Sequence, residues 1–228
     1  MRKVISLFFI ASFCFQVFSQ VGQVNKYGLR VVSSPDEYAE IVKENPDREL
    51  VNLKTLLSKA VFDIRYATTN NFTGKVVYKS PEAFLSAPAA SSLKKVENDL
   101  AKLGVALKVF DGYRPYQATL KFWEIVKDPN YAATPEKGSR HNRGCAVDVT
   151  LILLESQKEL EMPTAFDDFT KKAGSGYMDL SQAVIENRDL LKKAMEKHGF
   201  KQLSSEWWHF DYKGYSAYPV LDIPFEDF

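Results

Sequence analysis

The sequence predicts an α+β domain, and three observations carry that expectation. Two long stretches, Ala89 to Leu103 and Leu180 to His198, repeat apolar residues at three- and four-residue steps, the period of an amphipathic helix. Short β-prone runs surround them, among them Val61 to Tyr66, Val105 to Phe110 and Val147 to Leu154. These runs do not alternate with helices as a βαβ chain would, so a small antiparallel sheet with flanking helices is expected.

The 228 residues carry 30 Lys and Arg against 29 Asp and Glu. That balance argues against nucleic acid or an anionic membrane surface as the main partner. Arg2 and Lys3 precede an apolar run, Val4 to Phe18, broken only by Ser6, Ser12 and Gln16. This is the layout of a secretory signal peptide over residues 1–19, and it is short for a membrane span. Removing it leaves about 208 residues, one domain of ordinary size. No other stretch is apolar for long enough to cross a membrane. The expected location is therefore exported, periplasmic or extracellular. Cys14 leaves with the leader, and Cys145 alone cannot form an internal disulfide. Stability must then rest on the core or on a metal.

Residues 20–49 are mixed and polar, with Pro35 and Pro46 and little periodicity, and read as an N-terminal arm before a domain spanning 50–228. Leu50 to Leu57 fits either a short strand or a helical turn. Val61 to Tyr66 alternates, with Phe62, Ile64 and Tyr66 on one face and Asp63 and Arg65 on the other, as in a half-buried strand. Turn formers follow in Thr68 to Gly74, and Val76 to Tyr78 reads as a second short strand. The helix over Ala89 to Leu103 has its stripe in Leu93, Val96, Leu100 and Leu103, with Gly104 as its stop. Val105 to Phe110 is a strand closed by Asp111 to Pro115. Pro115 suits the first turn of a helix over Tyr116 to Lys127. Asp128 to Gly138 is a loop, and Glu155 to Gly176 is polar and irregular. The second helix carries Val184, Leu191, Met195 and His198 on one stripe, with Asp179 or Ser181 at its start and Gly199 at its end. Phe200 to Tyr212 reads as a final strand.

The residues able to do chemistry concentrate in two places. Ser139 to Asp148 (SRHNRGCAVD) sets a histidine and an aspartate seven residues apart with Gly144 between them. Asp148 interrupts an apolar run, where a charge is costly unless paired or metal-bound. In a strand, Ala146, Asp148 and Thr150 share a face, and the small Ala146 and Thr150 leave room beside the carboxylate. Glu206 to His209 (EWWH) supplies a second imidazole. Two histidines and a carboxylate make a catalytic zinc set with one position left for water, although other divalent ions also suit these donors. The competing explanation is an ion pair of Asp148 with Arg140 or Arg143. Water attack on a carbonyl needs a base, and Glu206 is the candidate. Residues three apart in a regular strand face opposite ways, so Glu206 must sit in a turn or bulge for that role. Trp207 and Trp208 read as wall and core. Arg114, held between a strand and a proline, is a candidate to stabilise an oxyanion or simply a partner of Asp111. Cys145 as a nucleophile lacks an orienting group. His198 reads as a helix-end residue without a role in the chemistry.

These residues resemble a known family. Ser139 to Asp148 is similar to the S-x-H-x-x-G-x-A-x-D motif of zinc D,D-peptidases, and Glu206 to His209 to their E-x-W-H motif. Asp63 to Gly74 (DIRYATTNNFTG) and Gly112 to Pro115 (GYRP) narrow the likeness to the D-alanyl-D-alanine dipeptidases. The resemblance runs from about Leu50 to the end. It implies the small α+β zinc D,D-peptidase (hedgehog-like) fold and one zinc ion per chain, with His141, Asp148 and His209 as ligands. It further implies Glu206 as base, Arg114 steadying the transition state, and Ser139 and Asp167 contacting the dipeptide, Asp167 through the ammonium group. The implied substrate is D-Ala-D-Ala of peptidoglycan metabolism. The rivals are a D,D-carboxypeptidase trimming longer wall peptides and a non-catalytic, zinc-containing wall-binding module.

Overall fold

The computed structural model describes residues 21–228, and the expected leader, residues 1–19, lies outside them. In chain order come β1 (Gln23–Val24), β2 (Arg30–Val32), α1 (Pro35–Glu44), β3 (Leu50–Asn52), α2 (Leu53–Leu56), β4 (Val61–Phe62), β5 (Phe84–Ser86) and α3 (Ala87–Ala101). Then follow β6 (Val105–Asp111), α4 (Tyr116–Val126), β7 (Ala146–Leu153), α5 (Gln182–Lys197), β8 (Phe200–Gln202), β9 (His209–Tyr212) and β10 (Val220–Leu221). The class is α+β, as expected.

The central sheet runs β4-β6-β7-β9-β8. Its pairs are antiparallel except β4 with β6, so the sheet is mixed rather than purely antiparallel. Register assigns its faces. Leu107 opposes Leu151, Val109 opposes Val149, and Val147 opposes Phe210. These side chains pack in one core with Leu93, Val96 and Leu100 of α3 and Leu191 and Met195 of α5. Each contributes about 2 kcal/mol by leaving water. The opposite face of β7 carries Ala146, Asp148 and Thr150, all buried, and the site is built there.

The N-terminal segment is more ordered than its polar composition suggests. β2 pairs antiparallel with β1 and parallel with β10, Val31 facing Val220. α1 turns inward through Ile41, which is 1% exposed. Its inward stripe is short, chiefly Tyr38 and Ile41, but its start is marked: Ser34 caps the Glu37 amide, Pro35 opens the helix and two acids fill the first turn. Both readings of Leu50 to Leu57 hold in part, since β3 passes directly into α2.

Four expectations change in detail. The alternation from Val61 ends as a strand at Phe62, and a 3₁₀ turn at Arg65–Ala67 still buries Ile64 and Tyr66. Val77 and Tyr78 both donate to the Tyr66 carbonyl, at 2.8 and 2.9 Å, so that segment is a clasp and not a strand. Leu103 lies beyond α3 and is 63% exposed, because the helix ends before its next turn. Pro115 caps α4 instead of opening its first turn. Ser181 caps α5 by accepting from the Val184 amide. His198 pairs with Asp99 at 2.9 Å, which satisfies it structurally.

Candidate metal centre and active site

The β7–β9 ladder sets Asp148 directly opposite His209. His141 lies just before β7 in a 3₁₀ turn that Gly144 closes with φ +62°. A side chain there would be strained, and its Cβ would also fall 2.3 Å from Leu50 Cδ2. The turn brings His141 Nε2 to 3.1 Å from His209 Nδ1 and 3.4 Å from Asp148 Oδ1, and His209 Nδ1 lies 3.0 Å from Asp148 Oδ1. Donors about 2.0 Å from a tetrahedral ion stand about 3.3 Å apart, so the triangle has the size of a divalent metal site.

The far nitrogens of both rings are occupied in the way metal ligation requires. His141 Nδ1 lies 2.7 Å from the Gly112 carbonyl, and His209 Nε2 lies 2.9 Å from Asp211 Oδ1. Each contact can accept the ring's N–H, which would leave the other nitrogen free for a metal. Burial alone would lower His209, but the hydrogen bonds it donates to Asp148 and Asp211 outweigh it and push it up to about 10. Burial alone would raise Asp148, but His141 and His209 hold it well below the usual carboxylate range. The three groups together favour positive charge among their facing atoms, whether a proton or a metal.

Arg140 and Arg143 do not pair with Asp148. Arg140 Nε lies 3.5 Å from Asp211 Oδ2, and Arg143 donates to the Tyr218 carbonyl. The ion-pair explanation therefore falls away. Cys145 is fully buried, with its thiol pushed up to about 12 by burial, and does not line the cleft.

Glu206 sits between β8 and β9, outside both strands, as the expected role of a base requires. Phe200 to Tyr212 is thus a hairpin of two strands and not one strand. Glu206 Oε2 is 3.9 Å from His209 Nδ1. Burial pushes its carboxyl up, against the pull of His209. Arg114 donates to Asp111 Oδ2 from Nε and Nη2, at 3.0 and 2.7 Å, and its Nη2 also lies 3.9 Å from Asp148 Oδ2. Pairing with Asp111 and facing the cleft are therefore compatible. Its guanidinium lies over the Phe122 and Tyr66 rings, at 4.7 and 5.3 Å, which fixes its plane.

The cleft is a cavity of about 130 Å³ lined by His141, Asp148, His209, Glu206, Arg114 and Tyr66, with Ser139, Asp167 and Trp208 also at its walls. The Ser139 hydroxyl accepts from the His141 amide. Asp167 faces the cleft and accepts from the Tyr66 hydroxyl at 3.1 Å, whereas Asp168 caps the Thr170 amide. Burial and the charge of Asp148 push the Asp167 carboxyl well above the usual range. Trp207 is core, with its indole N–H on Thr164.

Sequence reasoning missed four contributors. Asp211 orients His209, and the signal was available: residues two apart on a strand share a face. Asp111 was considered only as a rival partner for Arg114, yet it also accepts from the Tyr78 hydroxyl. Asn142 stitches the His141 turn to the Arg114 segment, accepting from the Ser139 amide and donating to the Arg114 carbonyl. Tyr66 holds Asp167 from a hundred residues away, and no local pattern announces that.

Comparison with known proteins places the chain in a family. The family model described as D-ala-D-ala dipeptidase matches residues 46–228. A D-alanyl-D-alanine dipeptidase of Escherichia coli is 34% identical over 180 residues, covering 79% of this chain and 93% of the relative. Enzymes of the same name from Enterococcus faecalis and Enterococcus faecium are 30% and 32% identical, over 77% and 65% of this chain and 93% and 84% of theirs. With the match spanning every residue of the His141, Asp148 and His209 cluster, the chain belongs to the D-ala-D-ala dipeptidase family.

Proposed function

We propose that this chain is a zinc-dependent dipeptidase that hydrolyses D-Ala-D-Ala to two D-alanines. The observation that carries the reading is the convergence of three donor atoms at 3.0–3.4 Å beside the half-buried carboxylate of Glu206. His141, Asp148 and His209 would hold one zinc ion, which when bound polarises a carbonyl and makes water acidic. Glu206 takes the proton of the attacking water and returns it to the leaving amine. A carboxyl raised by burial suits both halves of that transfer. Arg114, its plane fixed by Asp111 and the Tyr66 and Phe122 rings, offers N–H donors to the developing oxyanion.

Asp167 is suited to a free ammonium group. Its carboxyl is pushed up by burial, and a docked cation favours its charged form. A half-buried carboxylate in the wall of a small cleft favours a free dipeptide, whose ammonium it can pair, over the end of a longer chain. Ser139 supplies a hydroxyl to the substrate's other end. The basic start and apolar run of residues 2–18 support export, where such an enzyme meets dipeptide released near the cell wall. Amino-terminal sequencing of the secreted protein tests that point.

The activity test offers the metal-loaded protein D-Ala-D-Ala beside a pentapeptide ending in the same pair, with metal content measured in parallel. Release of D-alanine from the dipeptide alone is expected. Comparable cleavage of the pentapeptide would make the protein a D,D-carboxypeptidase. Bound zinc without cleavage of either would leave a binding module.

A further inference from the structure

We propose that the cleft continues past Ser139 into a basic groove that seats an acidic side chain on the second residue of the dipeptide. The proposal rests on the reading that the substrate ammonium meets Asp167. Ser139 and Arg140 line the cleft and also a second cavity of about 370 Å³, whose walls include Lys137, Arg143 and Tyr215 and do not include Asp167. A dipeptide with its ammonium at Asp167 therefore sends its carboxyl-terminal residue toward that groove.

The groove has one sign of charge. Lys137, Arg140 and Arg143 line it, and no acidic side chain does among the described residues. Arg140 is fixed by its Nε contact with Asp211 and by stacking over Tyr215 at 5.2 Å. Its two terminal nitrogens meet no protein acceptor among the described residues. Arg143 gives one N–H to the Tyr218 carbonyl, and Lys137 is exposed with no acidic partner among the described residues. A concave surface lined by cations alone concentrates an anionic ligand. D-Ala alone does not use such a groove, because its methyl group stops short of it. A second residue with a side-chain carboxylate, such as D-Glu or D-Asp, reaches the cations.

The test compares kcat/KM of the zinc-loaded protein on D-Ala-D-Ala, D-Ala-D-Gln and D-Ala-D-Glu. The last two differ in charge and hardly in size. We expect D-Ala-D-Glu to be preferred over D-Ala-D-Gln by about five-fold at low salt, with the preference fading at about 0.5 M NaCl. Lys137→Glu should erase the preference and leave D-Ala-D-Ala hydrolysis unchanged. Equal rates on the two larger dipeptides, or a ratio that Lys137→Glu does not move, would overturn the groove. Failure to hydrolyse D-Ala-D-Ala would instead overturn the dipeptidase reading. Calorimetry on Glu206→Gln then still reads the groove: tighter binding of D-Ala-D-Glu than D-Ala-D-Gln supports it, and equal affinities overturn it.

Discussion

The two sides of the cleft are held in different ways. On the metal side, Asp148 and His209 face each other in a hydrogen-bonded ladder, and His141 is one tight turn from the same strand. On the substrate side, Arg114, Asp167 and Glu206 all lie outside the strands and helices. There, side-chain contacts replace the ladder: Asp111 holds Arg114, and Tyr66 holds Asp167. A ladder fixes backbone and donor atoms together, so losing one ligand should collapse the centre. Loop residues are held one at a time, so their loss should be graded.

The largest effect should come from His209→Ala. It removes a ligand and strips Asp148 of a buried partner, so both metal content and dipeptide hydrolysis should be lost. A variant that keeps its zinc would break the contrast. Next, Glu206→Gln should keep zinc and slow kcat by about 10²–10⁴. A loss below tenfold would remove the proposed base. Asp211→Asn weakens the orienting contact of His209, along with the charge pairing to Arg140, and zinc affinity measured by chelator competition should fall about 10–100-fold. Unchanged affinity would mean that the ladder alone fixes the ring.

The pH dependence of the centre has a definite sign. In the metal-free protein His209 is pushed up to about 10, so it carries a proton at neutral pH. Zinc must displace that proton. Affinity should therefore rise about tenfold per pH unit between about pH 7 and 9, and acid should release the metal. A flat profile would show that His209 is neutral before metal arrives. The smallest effect concerns Cys145, whose thiol is buried and pushed up to about 12. Iodoacetamide at neutral pH should leave the native protein unmodified and fully active, as peptide mass spectrometry would report.

Much of the metal side is legible in the sequence, because its spacing rules are local. The seven-residue step from His141 to Asp148 needs only a left-handed glycine and the period of a strand. Asp211 was legible in the same way, two residues after His209. The substrate side is less so. Asp111 and Asn142 each have one partner three residues away, Arg114 and Ser139, but Asn142 also reaches the Arg114 carbonyl and Tyr66 reaches Asp167, partners that only the fold brings near. Helix α1 was missed because Ile41 is its one buried residue, although Ser34, Pro35 and two early acids marked its start.

By itself, the sequence determined the α+β class, the two long helices, the three ligand candidates and the need for a turn at Glu206. These follow from periodicities and residue chemistry that act within a few positions. Tertiary structure alone decided the register that sets Asp148 against His209 and the pairing of β2 with β10. It also decided that Arg140 and Arg143 turn away from Asp148. The physical reason is that a buried charge is settled by whichever partner the packed chain brings within about 3–4 Å, and chain order does not say which one that is.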